Sequence, residues 1–127
     1  MKAAFLLALI AAPAAADIVP LAHVMRQGAP THIALVRCAG QAAATAEWIA
    51  GHGGDPALAT SLAQRANGFA AAAERAQGGV GADIDGVTDI WRARFEASGH
   101  QDDAAWRSDI LWFKDMALCD EIADWSS

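Results

Sequence analysis

The chain has 127 residues, is 54% hydrophobic and 19% charged, and sets nine Lys and Arg against fifteen Asp and Glu for a formal net charge of −6. A surface that tracks nucleic-acid phosphates needs clustered Lys and Arg, whereas here the arginines are scattered and Lys114 is the only lysine beyond Lys2. The acidic balance argues against nucleic acid and against anionic membrane surfaces as partners.

In chain order, Lys2, the apolar run Ala3 to Ala12 and the small residues Ala14-Ala15-Ala16 ahead of Asp17 have the pattern of a secretory signal peptide. The sequence therefore predicts a leader over 1–16 and a single domain over 17–127. The apolar middle of the leader is about ten residues, against roughly twenty needed to cross a bilayer as a helix. Later apolar stretches are interrupted, at Glu74 and at Lys114 for example, and no cysteine stands at the cleavage point for lipid attachment. The expectation is a bacterial periplasmic or secreted protein with no stable membrane anchor.

Asp17 to Pro30 holds two prolines and Gly28 around Leu21, Val24 and Met25, which predicts one short helical turn. Thr31 is a candidate N-cap for a first long helix, with Leu35, Cys38, Ala39, Ala42, Ala46 and Ile49 recurring at three-to-four spacing and Gly51, Gly53 and Gly54 ending it. Asp55-Pro56 starts a second helix, since an N-cap acceptor precedes proline at the first helical position. Its apolar face runs through Leu58, Leu62, Ala66, Phe69, Ala73 and Ala76 up to Gly78-Gly79. Val80 to Gly86 reads as a polar loop, after which Asp85 or Thr88 caps a third helix bearing Val87, Ile90, Trp91 and Phe95 and ending near Gly99. Asp102 or Asp103 caps a fourth, whose Trp106, Ile110, Phe113 and Ala117, with Trp112, Met116, Cys119 and Ile122, make a wide apolar stripe and mark it as the most buried element.

Cys38 and Cys119 are the two cysteines, both beyond the leader, and in an oxidising compartment they are expected to form one disulfide across 81 residues. The fold class is accordingly all-α, a small four-helix bundle whose first and last long helices are neighbours tied by that bond. A close Cys-x-x-Cys pair, as redox catalysis would use, is absent.

No residue constellation points to an enzyme, a metal or a cofactor. Gly81 to Asp89 looks superficially like a calcium loop, yet with Gly86 at the sharp turn the first ligand position falls on Gly81 and the closing acid position on Arg92. His23, His32, His52 and His100 make no ligand spacing, and Ser61, Ser98, Ser108, Ser126 and Ser127 lack a Gly-x-Ser-x-Gly setting. The pairs Asp102-Asp103 and Asp120-Glu121 read as solvated helix faces. Four of the five tryptophans, Trp91, Trp106, Trp112 and Trp125, crowd the last third of the chain. Core packing accounts for most of them, but Trp125 lies so near the end that it is the expected interface residue.

Arg37-Cys38, the small-residue run Ala39 to Ala46, Glu47-Trp48 and Asp115-Met116-Ala117-Leu118-Cys119 give a skeleton that resembles small secreted helical proteins of proteobacteria, a group with no activity to carry over. A second resemblance is to the periplasmic acid-stress chaperones, likewise short, exported, helical and held by one disulfide; it implies exposure of apolar surface when the acids are protonated. The present chain departs from them in being poor in lysine and strongly acidic. The leading expectation is a non-enzymatic exported protein-interaction module. An acid-stress chaperone and a small-ligand carrier are the alternatives, the latter because an alanine- and tryptophan-rich bundle core can leave a cavity.

Overall fold

A computed structural model describes residues 18–100 and 103–126, with the expected leader over 1–16 outside them. The described residues form six helices and no strand: α1 (Leu21–Arg26), α2 (Thr31–Gly51), α3 (Pro56–Ala76), α4 (Gly81–Ser98), α5 (Asp103–Ser108) and α6 (Ile110–Ser126). The four long ones pack as a bundle, and the Cys38–Cys119 disulfide joins α2 to α6 with the Cα atoms 5.6 Å apart. No helix among the described residues is long and apolar enough to cross a membrane.

The centre of the bundle is α2, not the last helix as the apolar stripe suggests. Ala34 to Val36, Cys38 to Ala42 and Ala44 to Ala46 are all buried, because α3 and α4 pack along α2 on different sides and α6 and α1 on what remains. Small side chains permit that approach. At Gly40 even a methyl is too much: a Cβ there would collide with the Val87 side chain and lie 2.9 Å from the Thr88 backbone nitrogen, so α4 crosses α2 at a position without a side chain.

Helix boundaries follow local chemistry with three corrections. Asp55 caps α3 as expected, its Oδ1 accepting the Ala57 N–H at 2.9 Å with Pro56 in the first turn. Thr31 is not a cap: Pro30 holds the cap position and Thr31 is the first helical residue. The expected loop from Val80 to Gly86 is instead the first turn and a half of α4, which starts at Gly81 with Val80 in the cap position. Val80, Ile84, Val87, Trp91 and Phe95 follow one helical face, and burying that face overrides the poor helix propensity of Gly81 and Gly86. Neither Asp85 nor Thr88 caps it. The carboxylate of Glu74 reaches forward from α3 to accept the Gly79 and Val80 N–H groups at 2.8 and 3.2 Å, which lowers its pKa.

The third correction is that the fourth helix is two. Asp102 lies outside the described residues, α5 ends at Ser108, and Asp109 restarts the chain as α6: its carbonyl accepts the Phe113 N–H at 3.1 Å and its Oδ1 accepts the Trp112 N–H at 3.1 Å. The restart turns α6 about its axis relative to the expected stripe. Asp115, Cys119 and Ile122 face the core, while Ile110 and Phe113 are 59% and 45% exposed. The physical cause is polar and covalent: Cys119 must meet Cys38, and Asp115 must meet Arg37.

Candidate functional site

Two polar nodes set the geometry. At the first, Asp115 Oδ2 accepts from Arg37 Nη2 at 2.7 Å and Oδ1 accepts the Leu21 N–H at 3.0 Å, fastening α6 to α2 and to the start of α1. At the second, Gly99 adopts φ 62° at the end of α4, a left-handed conformation that suits glycine, and turns His100 back beneath the helix. Asp109 then receives three contacts from two side chains. Arg94 donates from Nη2 and Nε at 2.7 and 3.2 Å, and His100 Nε2 approaches at 2.8 Å. An ionised carboxylate only accepts, so Nε2 carries the imidazole proton. His100 Nδ1 is buried with no hydrogen-bond partner among the described residues, inside an aromatic wall in which Phe95 and Trp106 lie 5.2 and 4.7 Å away ring to ring. Trp48, isolated in the sequence, joins the same wall: it packs on Phe95, stacks on His52 and donates its Nε1–H to the His100 carbonyl.

The two buried acids are displaced in opposite directions. Burial dominates at Asp115 and pushes its carboxyl above the ordinary 3.8, although the Leu21 N–H and Arg37 favour the anion. Burial acts the same way on Asp109, but hydrogen bonds from Arg94, the Trp112 N–H and His100 together with the Arg94 charge outweigh it and hold that carboxyl below 3.8. Folded protein thus protonates Asp115 before the unfolded chain does, and this group adds stability as pH falls through its raised pKa toward 3.8. Asp109 stabilises above 3.8, and its contribution is lost as pH falls through its lowered value. Urea unfolding from about pH 7 to pH 2 is therefore expected to show Asp115→Asn removing a gain above the ordinary carboxyl range and Asp109→Asn removing a loss below it. Superimposable pH profiles for the wild type and Asp115→Asn would contradict this assignment.

Between α3 and α6 the bundle is open. α3 and α6 both pack on α2 rather than on one another, and the Arg65–Asp120 ion pair bridges them along one edge. The gap is a groove of about 610 Å³. Thr45 and Ile49 of α2 form its floor, Leu58, Leu62 and Arg65 of α3 one wall, and Trp112, Phe113 and Met116 of α6 with Trp106 and Arg107 of α5 the other, with Gly54 and Asp55 at one end. The polar atoms of the floor are mutually engaged: Thr45 Oγ1 donates to the Gln41 carbonyl at 2.7 Å and accepts from Trp112 Nε1 at 3.1 Å, and Gln41 Nε2 donates to the Trp112 carbonyl at 3.1 Å. Apart from Asp55, Arg65 and Arg107, what the groove offers a visitor is mostly apolar and aromatic surface.

The structure brings Cys38 and Cys119 together, as expected. Trp125 falls in the last turn of α6, and its side chain lies outside the described residues. Trp106 and Trp112, read mainly as core, line the groove and are only half-buried. No sequence spacing marks Arg94, His100 and Asp109 as a node, although Ser108-Asp109 directly ahead of Ile110-Leu111-Trp112-Phe113 is a helix-start signal. The groove itself has no sequence signature, because it exists only through the rotation of α6. No family model, no curated protein and no solved structure matches this chain.

Proposed function

We propose that this chain is a non-enzymatic exported binding protein whose groove between α3 and α6 holds a small ligand with a largely apolar body. The groove carries the reading. At about 610 Å³ it falls within the usual range of small-molecule sites, roughly 300–1,000 Å³, and it has their character, mostly apolar and aromatic walls with few polar groups. Among the described residues that line it there is no histidine, cysteine or serine. Export is supported by the leader-like stretch over 1–16 and by the Cys38–Cys119 bond, a kind that persists in oxidising compartments such as the bacterial periplasm.

Native mass spectrometry of protein purified without denaturation is expected to show a bound small molecule. The double variant Leu58→Ser, Phe113→Ser is expected to lose it, since these side chains are 49% and 45% exposed and their replacement strips the groove walls while leaving the core intact. A bare protein mass for the wild type after incubation with total lipid and metabolite extract would count against the reading.

A protein-interaction module is the second reading, and the exposure of Ile110 at 59% beside Phe113 favours it, because together they carry apolar surface beyond the groove. A photo-crosslinking residue at position 110 in intact cells is then expected to trap one defined partner. Diffuse labelling would leave the ligand carrier as the better account.

A further inference from the structure

We infer that the groove's ligand is an anionic amphiphile, with an apolar body and one carboxylate-like headgroup, and that Arg107 receives the headgroup. The inference rests on the ligand-binding reading above and extends it to the ligand's class. In a chain of net charge −6, guanidinium groups have carboxylates to pair with, and most do so here: Arg37 with Asp115, Arg65 with Asp120, Arg92 with Glu47 and Asp89, Arg94 with Asp109. Among the described residues, three charged side chains line the groove: Asp55, Arg65 and Arg107. Arg65 is answered by Asp120. Asp55 spends one oxygen on the Ala57 N–H and sits at the N-terminus of α3, where the helix dipole offsets its charge. Arg107 is exposed beside Trp106 and makes no ion pair among the described residues. Arg107 is thus the cation of the groove lining that has no carboxylate paired to it among the described residues, and it stands beside an apolar trough. A carboxylate there meets a planar fork of donors, while its tail lies against Leu58, Leu62 and Phe113. The wall from Asp55 to Arg65 is about 15 Å long at 1.5 Å per helical residue, enough for a medium-length alkyl chain.

Decanoate and decanol, alike in chain and different in headgroup, separate the two levels of the argument. Trp106 and Trp112 line the groove, so intrinsic tryptophan fluorescence reports occupancy of the full chain without a label. Decanoate is expected to bind about fivefold more tightly than decanol, as suits a solvent-facing ion pair, and Arg107→Gln to abolish that preference while leaving decanol binding unchanged. Equal binding of the two, or a preference that survives Arg107→Gln, overturns the headgroup assignment and leaves the groove as a ligand site. Binding of neither overturns both readings.

Discussion

Asp109→Ala is expected to destabilise the fold by about 3–5 kcal/mol, the usual penalty for removing one partner of a buried ionic cluster and leaving the others uncompensated. The residue does three things at once. It neutralises Arg94 through paired hydrogen bonds, it accepts from the His100 ring, and it caps α6 through the Trp112 N–H. His100 lies inside the aromatic wall, so once its acceptor is removed water has to enter or the α5–α6 corner has to move. Trp106 and Trp112 stand on either side of that corner, and the near-ultraviolet circular dichroism of the tryptophans is expected to weaken along with the urea midpoint. Asp109→Asn, which keeps a cap acceptor but loses the charge, should fall between alanine and wild type. Asp120→Ala is the control: its pair with Arg65 is more than half exposed on the acid's side, and exposed pairs contribute about 0–1 kcal/mol. Asp109→Ala no more costly than Asp120→Ala would show that the node is not a structural anchor.

Opening the disulfide is expected to be the next largest loss. A bond that closes 81 residues removes about 4.5 kcal/mol worth of unfolded-chain entropy in the loop-closure account. Cys38→Ser with Cys119→Ser is therefore expected to cost about 3–4.5 kcal/mol and to lower the melting temperature by roughly 10–20 °C. Both sulfurs are buried at 1% exposure, so the serines also place two hydroxyls among Leu35, Phe69 and Ile122. Cys38→Ala with Cys119→Ala separates the contributions: the loss common to both double variants is the cross-link, and the excess in the serine pair is the buried polar group. The consequence for function is directional. α6 carries one wall of the groove, and its attachment to α2 relies on Cys119 and on Asp115, one helical turn apart. Reduced protein is expected to lose groove binding in parallel with stability. Retention of ligand by a folded, reduced protein would show that the Arg37–Asp115 pair and the hydrogen bonds of Gln41 and Thr45 with Trp112 hold the wall without the disulfide.

The helices of this chain were legible residue by residue where a single local signal decided them. Asp55-Pro56 starts α3 because an acceptor and a preset φ act within one turn, and Cys38 lies on the apolar stripe of α2 because three-to-four spacing needs no knowledge of the neighbours. The start of α4 is not legible in the sequence because Gly81, Asp83, Asp85 and Gly86 are locally loop-like, and only the burial of Val80, Ile84 and Val87 against α2 and α3 outweighs that preference. The break at Asp109 was present as a cap signal but was masked by continuous apolar periodicity on both sides of it.

An all-helical body with its first and last long helices cross-linked follows from the order of residues alone, since periodicity, caps and cysteine pairing are short-range or covalent. Which helix occupies the centre, which face α6 turns inward and where the bundle stays open depended on packing. Eleven buried residues put α2 in the middle only once α3 and α4 had closed on it. An ion pair and a sulfur bridge then chose the inner face of α6 over its more hydrophobic one, leaving Phe113 in the groove and Ile110 beside it. Hydrophobicity is additive along a chain, but the rotation of a helix is set by its few directional contacts, and those join residues 78 and 81 positions apart.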